Sequence, residues 1–262
     1  MTNVHDFKKM FNEQRNISIV TCYDYWSAKI IDQSNIDAVL VGDSAAMVMH
    51  GYKTTTNADL SMMEYHVAAV SKGIKNKFII GDLPFLAHRK GKRWLMNGVD
   101  RIIKAGSNAV KIEGVGDNIK MISYIVNSGI PVMGHIGLTP QSINQFGGFK
   151  VQGKADGSAE KLIRDAMELE KAGVFAIVLE LVPEKLAKKI TEAINIPTIG
   201  IGAGKSTSGQ VLVLQDLLGM DNDFTPKFLR KYIDGFSLIS DALNEYDMDV
   251  KTNNFPSEKE SY

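Results

Sequence analysis

Lys104 to Glu113 reads KAGSNAVKIE, and Lys171 to Glu180 reads KAGVFAIVLE. Each passes from a polar helix end through Ala-Gly into an apolar, partly β-branched run that closes on an acid. Glycine just past a helix stops it, and the apolar run behind it predicts a strand. A second pair repeats the step with proline: NSGIPVMG (127–134) and AINIPTIG (193–200) place Ile-Pro at a strand entrance, where the missing donor does little harm. A helix-to-strand unit that recurs predicts a parallel sheet.

Working outward, eight runs read as strands: ISIVTC from Ile17, AVLVG from Ala38, KFIIGD from Lys77, AVKIE from Ala109, PVMGH from Pro131, FAIVLE from Phe175, PTIGIG from Pro197 and QVLVL from Gln210. None alternates strictly with polar residues, so these strands are expected to be buried on both faces, with helices outside. Helical segments are predicted at Asp24–Ser34, Met62–Lys72, Arg93–Ala105, Asn118–Ser128, Ser158–Ala172 and Glu184–Ala193. Eight such units favour a closed (β/α)8 TIM barrel over an open sheet. The expected organisation is one catalytic domain over residues 1–246 and a frayed polar tail over 247–262, with a last helix from Lys227 to Leu243. The long Gly-rich stretch from Ile136 to Gly157, with Phe146 and Phe149, reads as a lid or binding element.

Composition narrows the function. Lys plus Arg and Asp plus Glu both number 30 in the 262 residues, so no basic excess points to nucleic acid. The one cysteine, Cys22, rules out an intrachain disulfide framework. No apolar run approaches the roughly 18 residues that spanning a bilayer requires, which predicts a cytoplasmic protein with no membrane partner.

A TIM barrel works at the C-terminal ends of its strands. Those ends carry Asp43 and Ser44, Asp82, Lys111 and Glu113, His135, and Glu180. Alternation sends Lys111 and Glu113 to the same side and Ile112 to the other. One such carboxylate is more often a helix cap than a ligand. Four together repel one another unless a cation or proton neutralises them, and oxygen donors select Mg²⁺, with Mn²⁺ as substitute. A 2-oxo acid can replace two waters on such an ion and become acidic beside its carbonyl. Glu180 is the candidate base, Lys111 and Ser44 the candidates for the substrate carboxylate, and His135 either a catalytic aid or a structural hydrogen bond. His5, His50, His66 and His88 show no i, i+4 metal pair and read as structural or surface groups.

Two motifs mislead. In IGIGAGKST the Walker pattern needs glycine at Ile199, and the dinucleotide fingerprint needs one at Lys205. These glycines read as a tight turn or an anion approach. Ser142 in GLTPQS lacks a nucleophile elbow.

In order, VGDS, GDLPF, VKIEG, GHIGLTPQS, FGGFKVQG, LELVP and IPTIGIGAG resemble the ketopantoate hydroxymethyltransferase family across about Ile17 to Lys227. The resemblance implies transfer of a one-carbon unit from 5,10-methylenetetrahydrofolate to 3-methyl-2-oxobutanoate, giving 2-dehydropantoate on the way to pantothenate. It further implies Asp43, Asp82 and Glu113 as Mg²⁺ ligands; Asp43, Ser44, Asp82 and Lys111 as contacts to the oxo acid; Glu180 as proton acceptor; and a homodecamer. Val115, where the family often has a second glycine, and the TTTNAD segment after His50 depart from the family pattern. Two rivals share part of this reading: a folate-independent enzyme of the related phosphoenolpyruvate mutase and isocitrate lyase group, and a barrel that binds without turnover.

Overall fold

Seven of the eight strands have at least three residues fully inside, and β2 (Ala38–Val41), β3 (Phe78–Asp82) and β4 (Ala109–Glu113) are buried at every position. With β1 (Ile17–Thr21), β5 (Val132–Gly137), β6 (Ala176–Glu180), β7 (Thr198–Ile201) and β8 (Gly209–Leu212), they close a barrel in sequence order, every pair parallel. This computed structural model describes residues 3–142, 148 and 150–262. Phe146 and Phe149, on which part of the lid reading rests, lie outside them.

The expected helices are present: α2 (Tyr25–Gln33), α4 (Leu60–Gly73), α5 (Lys92–Lys104), α6 (Asn118–Asn127), α7 (Asp156–Lys171) and α8 (Glu184–Ala193). Asp24 caps α2 through Ser27 N–H and Asp59 caps α4 through Met62 N–H, at 2.9 and 2.8 Å. The repeated Lys-Ala-Gly endings make the same cap twice. Ser107 N–H reaches Ile102 O and Val174 N–H reaches Leu169 O, both at 3.3 Å, across glycines with φ of +116° and +91°.

Two helices of the first 213 residues were not anticipated, nor was a third, short one at Leu214–Leu217. The short α3 (Ala45–Val48) follows Ser44, and α1 (Val4–Asn12) precedes the barrel behind a capping box of Asn3 and Asp6. From α1, Phe7 meets Phe78 and Phe175 edge-on, with ring centroids 5.4 and 5.0 Å apart. Those two rings stand at the entrances of β3 and β6, so α1 covers the N-terminal end of the barrel.

The chain forms two compact units, Met1–Val213 and Leu214–Tyr262. The second holds α9 (Leu214–Leu217) and α10 (Gly235–Lys251). The helix expected over Lys227–Leu243 therefore starts later, and Asp247 to Lys251 is helical rather than frayed. The polar turn at 247 marks an exposed helix face, bridged by Lys251 and Asp247 at 2.7 Å. Among the described residues no helix is long and apolar enough to cross a membrane.

Candidate active site

Strand register assembles the charges. Asp82 pairs with Lys111 and Glu113 with His135, so neighbours in the parallel sheet share a face. Lys111 Nζ lies 3.1 Å from Asp82 Oδ1, 3.7 Å from Glu113 Oε1 and 3.2 Å from His135 Nδ1. Lys111 and Glu113 thus point the same way, as alternation predicts. His135 Nε2 stands 3.3 Å from Glu180 Oε2 at the end of β6, so the candidate base joins the cluster. Asp43, Asp82, Lys111, Glu113 and His135 are all buried.

Two local features shape that rim. Leu181 turns into the left-handed region (φ +47°) directly after Glu180, held by Leu181 N–H to Ile201 O at 2.9 Å and Gln152 N–H to Leu181 O at 2.8 Å. Opposite Glu180 in the register stands Gly137. Its φ is +94°, and any side chain there would run into the Glu180 carbonyl oxygen.

Protonation follows from these contacts. Burial and Lys111 both oppose charge on His135, yet Glu113, 3.2 Å from Nδ1, and Glu180 outweigh them and raise its pKa to about 9. As an imidazolium, His135 carries a proton on each nitrogen and forms ion pairs, Nδ1 3.2 Å from Glu113 Oε1 and Nε2 3.3 Å from Glu180 Oε2. Nδ1 then cannot also accept from Lys111, whose protons are left for Asp82 and Glu113. Burial pushes the Asp43 carboxyl well up, and Glu113 and Asp82 push it further, against the weaker pull of Lys111 and Gln141. Burial lowers the Lys111 pKa less than Asp82, Glu113 and Asp43 raise it, so the ammonium stays charged. The cluster is short of positive charge.

That shortage bears on a metal. Among the described residues, no three His, Cys, Asp or Glu side chains converge as a ready cation cage, because Lys111 stands between Asp82 and Glu113. The donor set nonetheless fits a hard divalent ion. It is all carboxylate, the four acids of the cluster outnumber its two cations, Lys111 and His135, and the buried Asp82 Oδ1 and Glu113 Oε1 take no well-formed hydrogen bond.

Several participants were missed from sequence. Gln141, in the 3-10 turn Pro140–Ser142, donates from Nε2 to Asp43 Oδ2 at 2.9 Å and to Leu83 O at 3.0 Å, and from its backbone N–H to Glu113 Oε2 at 3.1 Å. The one hint in sequence was the place of GLTPQS just past a strand end, which does not give the direction of the side chain. Tyr23, just beyond β1, shares a 2.8 Å hydrogen bond with Ser44 Oγ. His50 and His66, sixteen residues apart, meet at 2.8 Å through their Nε2 atoms, and His66 Nδ1 lies 2.6 Å from Tyr23 O. That carbonyl can only accept, so His66 Nδ1 carries a proton. The IGIGAGKST glycines serve the short return from β7 to β8, where Gln210 Nε2 donates to Gly204 O at 2.9 Å. Val115 causes no strain, because the positive φ values fall on its neighbours Gly114 and Gly116.

The family model for ketopantoate hydroxymethyltransferase matches residues 1–258. The chain belongs to the ketopantoate hydroxymethyltransferase family. Its relatives in that family include a Coxiella burnetii 3-methyl-2-oxobutanoate hydroxymethyltransferase, 57% identical over 97% of this chain and 96% of the relative. One of the same name from Bdellovibrio bacteriovorus is 53% identical over the whole of both chains. Among solved structures, 2,3-dimethylmalate lyase of the PEP mutase/isocitrate lyase superfamily superposes with a TM-score of 0.61 at 14% identity, covering 100% of this chain and 92% of the other. Phosphonopyruvate hydrolase, solved with oxalate and Mg²⁺, gives 0.62 at 12% identity over 99% and 93%. At such identities these two share the ketopantoate hydroxymethyltransferase fold and no more.

Proposed function

We propose that this chain catalyses the reaction of 3-methyl-2-oxobutanoate, 5,10-methylenetetrahydrofolate and water to give 2-dehydropantoate and tetrahydrofolate. The carrying observation is Glu180, its Oε2 3.3 Å from His135 Nε2, beside the Lys111, Asp82 and Glu113 cluster at the strand ends. Lys111 and Ser44 bind the substrate carboxylate, with Tyr23 orienting the Ser44 hydroxyl. Asp43, Asp82 and Glu113 would hold Mg²⁺, which when bound would polarise the 2-oxo group as a Lewis acid. Glu180 accepts the C3 proton, and His135 steadies the carboxylate that receives it. Water adds to the one-carbon unit as its two bonds to the folate nitrogens break, releasing tetrahydrofolate and formaldehyde; the C3 electron pair then forms the C–C bond to that carbon as its C=O bond opens, and the oxygen takes up the proton. Water provides the hydroxyl oxygen.

A homo-oligomer, a decamer by family likeness, belongs to the same reading. Phe236, Leu238, Ile239, Leu243, Tyr246 and Met248 of α10 are between 48 and 63% exposed, more apolar surface than one helix normally leaves in water. A cytoplasmic location completes it.

The test is solvent deuterium exchange at C3 of 3-methyl-2-oxobutanoate, followed by NMR without folate. Exchange is expected with Mg²⁺, is lost in EDTA, and falls about 10²- to 10⁴-fold in Glu180→Gln. Exchange that survives in both overturns the mechanism. Product that forms without the folate donor favours the phosphoenolpyruvate mutase-like alternative.

A further inference from the structure

We infer that Gln141 is a positioning residue that determines which carboxylate oxygens the site presents, an inference that rests on the divalent-cation reading above. On each of the three acids, one oxygen is tied back by an uncharged N–H. Asp43 Oδ2 is held by Gln141 Nε2 at 2.9 Å, Glu113 Oε2 by Gln141 N at 3.1 Å, and Asp82 Oδ2 by Asp43 N at 3.0 Å. The other oxygens of Asp82 and Glu113 are buried with no well-formed hydrogen bond, and they face Lys111 Nζ at 3.1 and 3.7 Å. Two of the three ties come from the one residue.

The orientation of its amide is settled by its neighbours. The Leu83 carbonyl can only accept, so the nitrogen must face it; a flipped amide would set oxygen against that oxygen. Leu83 follows Asp82 directly, so this single NH₂ group spans the ends of β2 and β3, while the backbone N–H reaches the end of β4. A neutral donor suits the task. It fixes a carboxylate without cancelling the charge a cation needs, as Lys or Arg would. Thr139 and Gln141 are buried in this turn, which keeps water from substituting for the amide.

Substitution of the side chain removes the tie to Asp43 and leaves the backbone tie to Glu113 in place. Gln141→Met keeps the length and deletes the donors. Gln141→Ala deletes them with no risk of overpacking. The measurements are Mn²⁺ affinity by EPR of the free ion, and Tm in EDTA. The expected result is a Kd for Mn²⁺ raised about 10- to 100-fold in a folded variant whose metal-free Tm moves by only a few degrees. A folded variant that binds Mn²⁺ within twofold of wild type overturns the inference and leaves Gln141 a structural residue. Wild-type protein that takes up no Mn²⁺ overturns the cation reading itself and this inference with it, a result told apart because the wild type, not the variant, fails.

Discussion

At the entrances of the strands, Phe7, Met10, Ile17, Phe78 and Met133 belong to one continuous apolar cluster. At the exits of the same strands, Asp43, Asp82, Lys111, Glu113 and His135 are just as deeply buried. The first end needs only shape and oil-like character, and each buried side chain there stabilises the fold by about 1.5–3 kcal/mol. The second end costs stability, because desolvating charges is repaid only in part by pairing them. The contrast teaches that α1 and the lower core hold the barrel closed, so that a strained, charged rim can be kept for chemistry.

The harshest way to break this contrast is Lys111→Met, which strips Asp82 and Glu113 of their buried counter-charge. It is expected to cost about 3–5 kcal/mol at pH 7 and to abolish substrate binding. Because burial and the acids together leave the folded-state pKa of Lys111 above its usual 10.5, its contribution is fully present below that value. Thermal melts with and without MgCl₂ sharpen the point, since a divalent ion bound by the remaining acids should recover part of the lost Tm. No recovery would count against these acids as ligands.

Phe7→Ala attacks the other end. A loss of about 3–5 kcal/mol is expected from the cavity left between Phe78 and Phe175. In urea titration the midpoint should drop, while C3 exchange per folded molecule stays at the wild-type rate. A matching loss of exchange would mean that the two ends are not independent.

The smallest effect lies in the second unit. Burial, then Asp221, raise the Asp216 pKa to about 6 from the ordinary 3.8, against Lys231. An acid whose folded pKa is raised disfavours folding once ionised, so the penalty grows from about pH 4 to pH 6 and is complete above. Asp216→Asn should therefore raise Tm at pH 7 by on the order of 1–3 °C, a partly exposed group being screened, and by nothing at pH 4. An equal rise at both pH values would show that ionisation is not the cause.

Much of the site was legible because barrel chemistry sits where strands end, and strand ends can be read. Asp43, Asp82, Lys111, Glu113, His135 and Glu180 each lie at or within two residues of the end of an apolar run, and alternation placed Lys111 on the same side as Glu113. Gln141 was hidden because it belongs to a turn, where no periodicity marks a side chain's direction. The meeting of His50 with His66 was hidden because no helical spacing connects them. The N-terminal helix was overlooked for a related reason: a short charged segment shows its apolar stripe, Phe7 and Met10, only once there is a barrel end to cover.

By itself, the sequence determined the strand count, the parallel order, the glycine ends of two helices and the identity of the charged residues, because each depends on local periodicity and on chemistry within a few neighbouring positions. Only the tertiary structure decided that Lys111 stands between two acids, that His135 joins Glu113 to Glu180, and that one glutamine amide ties the ends of β2 and β3. These are distances between strands, set by register and closure, and they govern charge through burial that no single segment can report.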